Sequence, residues 1–197
     1  DLPWASIDND DSRDLDQLTV AEELTSHHIR IRVAIADVDA LVKDGTAIDA
    51  HARQNTTSVY TAGGVFPMLP ERLSGDLCSL HEGVARAVIA VWMKLDAKGR
   101  KISHRFTRGM IKSVASLNYT EVQEAQDGRA NERCATLMAE VIAPLYAAYD
   151  TTKTERAMRQ PLDLDLPERK IELTDEGEVK SVAFRDRLDA HRLIEEF

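Results

Sequence analysis

Cysteine is nearly absent from this 197-residue chain: only Cys78 and Cys134 occur. They are too few and too far apart for a disulfide framework or a zinc ribbon, so both read as buried thiols. No stretch approaches the ~20 apolar residues that cross a bilayer. The opening DLPWASIDNDD lacks the basic start and apolar middle of a signal peptide. A cytoplasmic protein with no membrane partner is expected. Aromatic residues make up 5% of the chain, and its six histidines show no metal-like spacing. There is no internal repeat, low-complexity tract or clear linker; the polar, proline-bearing stretch from Thr151 to Arg169 is the nearest thing to a boundary.

What remains is 43% hydrophobic and long enough for one domain or a piece of a larger one. A domain of roughly 150 residues buries about two thirds of the surface its unfolded chain exposes, so disorder is not expected. The formal charge of −9 argues at first against nucleic acid, whose affinity comes mainly from clustered Lys and Arg. Distribution matters more than the sum. The first 17 residues hold six aspartates and one arginine, whereas Lys98, Arg100, Lys101, Arg105, Arg108 and Lys112 follow one another with no acid between them. Such a stripe suits an RNA backbone, and it also suits a solvated hairpin.

In HIRIRVAIADV, Ile29, Ile31, Val33 and Ile35 share one parity and Arg30 and Arg32 the other, the pattern of a half-buried strand. Asp37 falls on the apolar parity, on the strand or just past its end. Ala87 to Leu95, the turn DAKG and KISHRF predict a hairpin. Thr120 and Glu121 begin a short helix. Leu137, Val141, Ile142, Leu145 and Tyr149 then mark a longer one from about Asn131, bent at Pro144. Ile171 to Leu173, TDEG and Val179 to Phe184 predict a second hairpin, and DAHRLIEEF reads as a helix still running at the last residue. The expected fold is α/β, in the α+β sense, with a mixed or mainly antiparallel sheet and surrounding helices.

The sharpest chemical feature is Asp8-Asn9-Asp10-Asp11-Ser12-Arg13-Asp14-Leu15-Asp16-Gln17. Carboxylates this crowded repel one another unless cations hold them. Magnesium takes one or two carboxylates, waters and phosphate oxygens, and a pair of such ions can support both oxygens of a phosphodiester cleavage. Asp14 and Asp16 share a face if the segment is extended, and Asp8 reaches them across a loop that Asn, Asp and Ser favour. A solvated acidic loop fits the composition equally. A calcium hand does not, because Arg13 stands where that loop needs glycine.

SIDNDDSRDLDQL, VAIADVDALVKDGTAID and SVYTAGGVFPMLPERLSGDLCSL, in that order, with LNYTEV and HRLIEEF after them, resemble the catalytic (RNB) domain of the RNase II / RNase R family of exoribonucleases. The resemblance covers the whole chain and corresponds to the N-terminal part of that domain, without the family's flanking RNA-binding barrels or its later arginine motif. It implies a magnesium-dependent enzyme (one or two ions, manganese a possible substitute) with no organic cofactor, monomeric when intact. Its substrate is the 3′ end of single-stranded RNA, hydrolysed stepwise to nucleoside 5′-monophosphates. Asp8, Asp14 and Asp16 fall on the catalytic, metal-holding aspartates, Asp16 being the most sensitive. Gln17 stands where the family usually has a fourth aspartate; its carboxamide oxygen can coordinate but brings no charge. Tyr60 and Tyr119 match RNA-contacting aromatics, the latter also readable as a packing residue, and Glu196 is one of two glutamates that match a residue near the terminal nucleotide. The segment PMLPERLSGDLCSL is expected to form a rigid wall. Two alternatives stay open: a catalytically impaired RNA-binding or regulatory module, with Gln17 marking the loss, and an unrelated metal phosphoesterase. The chain alone is expected to be a poor enzyme.

Overall fold

The computed structural model describes residues 2–162, 169–184 and 186–197. Six strands form one sheet: β1 (Ala5–Asp8), β2 (Gln17–Glu23), β3 (Ile29–Ala36), β6 (Ala85–Leu95), β7 (Lys101–Lys112) and β8 (Ala115–Asn118), in the order β7-β6-β3-β2-β1-β8. Every neighbouring pair is antiparallel except β1 with β8. Two hairpins stand apart from this sheet: β4 (Val59–Thr61) with β5 (Gly64–Phe66), and β9 (Arg169–Leu173) with β10 (Val179–Phe184). The helices are α1 (Ala47–Asn55), α2 (Tyr119–Gln126), α3 (Glu132–Leu137), α4 (Ala143–Met158) and α5 (Asp189–Glu196).

Helices α2 to α5 cover one face of the sheet. Ala5, Ile7, Ile31, Val33 and Leu117 meet Val122, Ile142, Leu145, Tyr149 and Leu193 there in the larger core. The opposite face carries a second core, where Trp4, Leu18, Val20, Ala34 and Val88 pack on Cys78 and Leu80. Two covered faces change the reading of β3. It is not a half-buried strand with both arginines in water: Arg32 is 3% exposed and Ile35 is 44% exposed. Asp37 lies just past the strand end, buried, its N–H bonded to the Ala87 carbonyl.

Both predicted hairpins form, and the first extends to Lys112. Its turn closes on Asp96, whose carboxylate accepts from the backbone N–H of Lys98 and Arg100. Gly99 has φ +81°, and a Cβ there would lie 2.4 Å from the Thr151 carbonyl oxygen of α4. Only glycine allows this turn to approach the helix. Asn118 caps α2 reciprocally: its side chain accepts from the Glu121 N–H while the Glu121 carboxylate accepts from the Asn118 N–H, both at 2.8 Å. The bend expected at Pro144 is a wide π turn, Met138–Ile142, that ends where the proline sits in the first turn of α4. The boundary expected from Thr151 is absent at its start, since α4 runs through Met158; residues 163–168 lie outside the described set. Cys78 and Cys134 are buried and unpaired.

Candidate active site

Asp8 ends β1 and Gln17 begins β2, so the acidic loop caps the sheet where these strands meet. The Asp8 carboxylate accepts from the Asn9 N–H at 2.7 Å and the Ser12 hydroxyl at 2.9 Å, which folds the loop back on the strand end. Asp10 and Asp11 point outward. Leu15, between Asp14 and Asp16, is buried and acts as the anchor. Its N–H donates to the Ser79 hydroxyl at 3.0 Å, that hydroxyl donates to the Arg13 carbonyl at 2.8 Å, and the Leu80 N–H donates to the Leu15 carbonyl at 2.7 Å. The segment expected to be a wall thus grips the loop's backbone through the Ser79 hydroxyl and the Leu80 N–H, and leaves the two aspartates facing away from the core.

The Asp16 carboxylate feels the other two here. The Asp16 carboxyl is raised above the ordinary carboxylate range first by the protein packed around it and then by the charge of Asp8, with a smaller push from Asp14 and an opposing backbone hydrogen bond. The hydroxyl of Tyr60, on β4, donates to Asp14, and this bond is the main cause of the upward shift of its own pKa. Tyr119, first in α2, is pushed up to about 12 by burial, then by Asp8, Glu195 and Asp16. Its ring stacks on His191 of α5, with centroids 4.0 Å apart, so one face is already covered.

The two terminal glutamates separate. Glu196 pairs with Arg156 of α4 at 2.9 Å and is 11% exposed, while Glu195 pairs with Arg187 and is the one whose charge reaches Tyr119. The expected residue, Glu196, is therefore held against the helix layer, and the charge of its neighbour is the one that acts on Tyr119. Gln17 lies on the register row of Ile35. Successive residues of a strand point to opposite faces, so its side chain leaves the line of Asp16, and its amide nitrogen is buried without a partner.

A hard cation suits oxygen donors that repel one another in its absence, and Asp8, Asp14 and Asp16 meet that condition. Among the described residues no three His, Cys, Asp or Glu side chains form a ready cage. The basic stripe does not survive folding as a stripe. The bulge opposite Lys94 and Leu95 pairs Lys101 with Leu95, so Lys101, Arg108 and Lys112 share one face of β7 and Arg105 lies on the other. Arg100 is paired with Asp96 and Arg108 with Asp37 and Asp39. The Arg108 clamp on Asp37 was not anticipated; the sequence signal was Asp37 itself, a carboxylate on the apolar parity of β3. Nothing in the sequence marked Ser79.

A family model described as "RNB domain" matches residues 1–197. The chain belongs to the RNB-domain family. Ribonuclease R of Escherichia coli strain K12 is 36% identical over 100% of this chain and 24% of its own length. Ribonuclease R 2 of Lactococcus lactis is 34% identical over 98% and 30%. Among solved structures, Mycoplasma genitalium RNase R in complex with ribose-methylated single-stranded RNA superposes with a TM-score of 0.93 at 27% identity, covering 100% of this chain and 30% of that one. These relatives are ribonucleases. The RNB chain described here spans about a quarter to a third of their length, and its six-stranded, mainly antiparallel sheet is the fold expected from its sequence.

Proposed function

We propose that this RNB domain is the metal-holding part of a 3′-to-5′ exoribonuclease that shortens single-stranded RNA one nucleotide at a time and releases nucleoside 5′-monophosphates. The observation that carries the reading is the Asp8–Asp16 loop folded back on the sheet end, anchored at Leu15 and joined to Tyr60 through Asp14, in a chain matched over its full length by the RNB-domain family.

Asp8, Asp14 and Asp16 would hold magnesium, which would supply charge for the developing phosphate oxygens and lower the pKa of a bound water. The protein's own part is positioning. Leu15 fixes the spacing of the aspartates on either side of it. Asp14 and Asp16 would help fix the ions and orient the attacking water. Tyr60, 63% exposed on a two-stranded arm, offers a ring face for the terminal base, while its hydroxyl orients Asp14. Tyr119, half covered by His191, backs the site rather than presenting a free platform.

The test is to incubate the intact polypeptide that carries this domain with 3′-labelled single-stranded RNA. Magnesium-dependent release of labelled monophosphate, lost in Asp16→Asn, is the expected result. RNA binding without release, unaltered by metal, would instead establish an impaired binding module. Preference for internal bonds or small phosphate esters would establish a different phosphoesterase.

A further inference from the structure

On the sheet face opposite the helices, near the β6–β7 turn, two adjacent cross-strand rows gather cations. One row aligns Glu22, Arg30 and Lys94; the next aligns Arg32, Trp92 and Arg105. Arg32 and Arg105 lie over the Trp92 ring at 4.5 and 4.3 Å from its centroid. Arg30 and Arg32 share a single Glu22 oxygen at 2.8 and 2.6 Å.

This arrangement is costly by itself. Like charges directly opposite across strands repel, as Arg30 and Lys94 do, and four cations face one carboxylate. Arg32 is 3% exposed, with Nε and one terminal nitrogen lacking any acceptor. In a chain of net charge −9, such a concentration of positive charge over an indole floor calls for an anion.

We propose that this ledge, formed by Arg30, Lys94 and Arg105 over Trp92, binds the phosphodiester backbone of single-stranded RNA, apart from the carboxylate site. Strands lie about 5 Å apart, so the ledge sets its cations in a row against a ligand whose negative charges repeat. The outer face of the Arg105 guanidinium gives a plane on which a base stacks. The inference rests on the RNA-directed reading above, and its test separates the two.

Labelled oligouridylate is titrated into the 197-residue chain in EDTA, so that hydrolysis is suppressed. The Lys94→Ala, Arg105→Ala double variant weakens binding roughly tenfold at low salt and flattens the salt dependence by roughly 0.7 per cation removed. Arg100→Ala, on the same hairpin but paired with Asp96, changes neither. In a Trp4→Phe background, where Trp92 is the sole tryptophan, its fluorescence shifts with the same midpoint as binding. An unchanged salt slope with silent Trp92 overturns the proposal, and so does a polyglutamate peptide that reproduces the Trp92 response at equal affinity. Magnesium-dependent hydrolysis by the intact polypeptide with Trp92 silent defeats the ledge alone. A Trp92 response without hydrolysis defeats the nuclease reading alone.

Discussion

The Tyr60 hydroxyl donates a hydrogen bond to Asp14, tying the β4–β5 arm to a loop 46 residues earlier in the chain. One side chain thereby links the arm that would meet a base to the carboxylates that would hold a cation. Its two functions separate by substitution. Tyr60→Phe keeps the ring and loses the donor, so RNA affinity stays close to wild type while the hydrolysis rate falls. Tyr60→Ala loses stacking as well, and affinity falls roughly 5–150-fold, the equivalent of about 1–3 kcal/mol. Equal affinities for the two variants in a binding titration would show that the ring carries no base.

Asp16 gives a pH-dependent test. Its folded carboxyl binds a proton more tightly than the unfolded one, whose ordinary pKa is 3.8. Its contribution to stability is therefore fully present in acid below that value and is lost as pH rises through the raised value. Asp16→Asn removes the penalty of the ionised form. In EDTA the variant is expected to melt above wild type at pH 7 and level with it at pH 3. A wild type as stable as the variant at pH 7 contradicts the crowding of these carboxylates.

Gln17 tests charge at the start of β2. Its buried amide nitrogen has no acceptor, and an aspartate there adds a fourth negative charge to the sheet end. Gln17→Asp is expected to lower the melting temperature in EDTA and to recover more than wild type does on adding magnesium, because a cation bound only by the folded state stabilises it. Identical magnesium responses would place position 17 outside the cation's reach.

Gly99 carries a structural prediction. A side chain there requires a left-handed backbone and collides with the Thr151 carbonyl. Gly99→Ala is expected to cost about 2 kcal/mol or more, read by denaturant melts. An alanine variant as stable as wild type would mean that the hairpin does not need this close approach to α4.

Strand β3, the two larger hairpins and the helix after Asn118 were legible because alternation and turn residues are local signals, whereas β1, β2, β4, β5, β8 and α1 gave no signal that was read. Asp8, Asp14, Asp16 and Tyr60 were singled out through spacing and resemblance, and the structure joins Tyr60 to Asp14. The misread features depended on what covers each face. Arg32 follows a half-buried pattern but lies beneath Trp92 because the second core covers that side of β3. The basic stripe dissolved because a strand sends neighbours to opposite faces and because its acidic partners, Asp37 and Asp39, come from about 70 residues away, separations of 71 and 69. The different partners of Glu195 and Glu196, Arg187 and Arg156, depend on how α5 packs, which no single helix encodes.

The most direct measurement follows one single-stranded RNA, labelled at either end, during magnesium-dependent digestion by the intact polypeptide. The 5′-labelled RNA is expected to shorten in one-nucleotide steps while the 3′-labelled RNA yields labelled 5′-monophosphate from the first turnover, and Asp16→Asn abolishes both. Internal fragments at early times, or an undiminished rate in Asp16→Asn, would contradict the account.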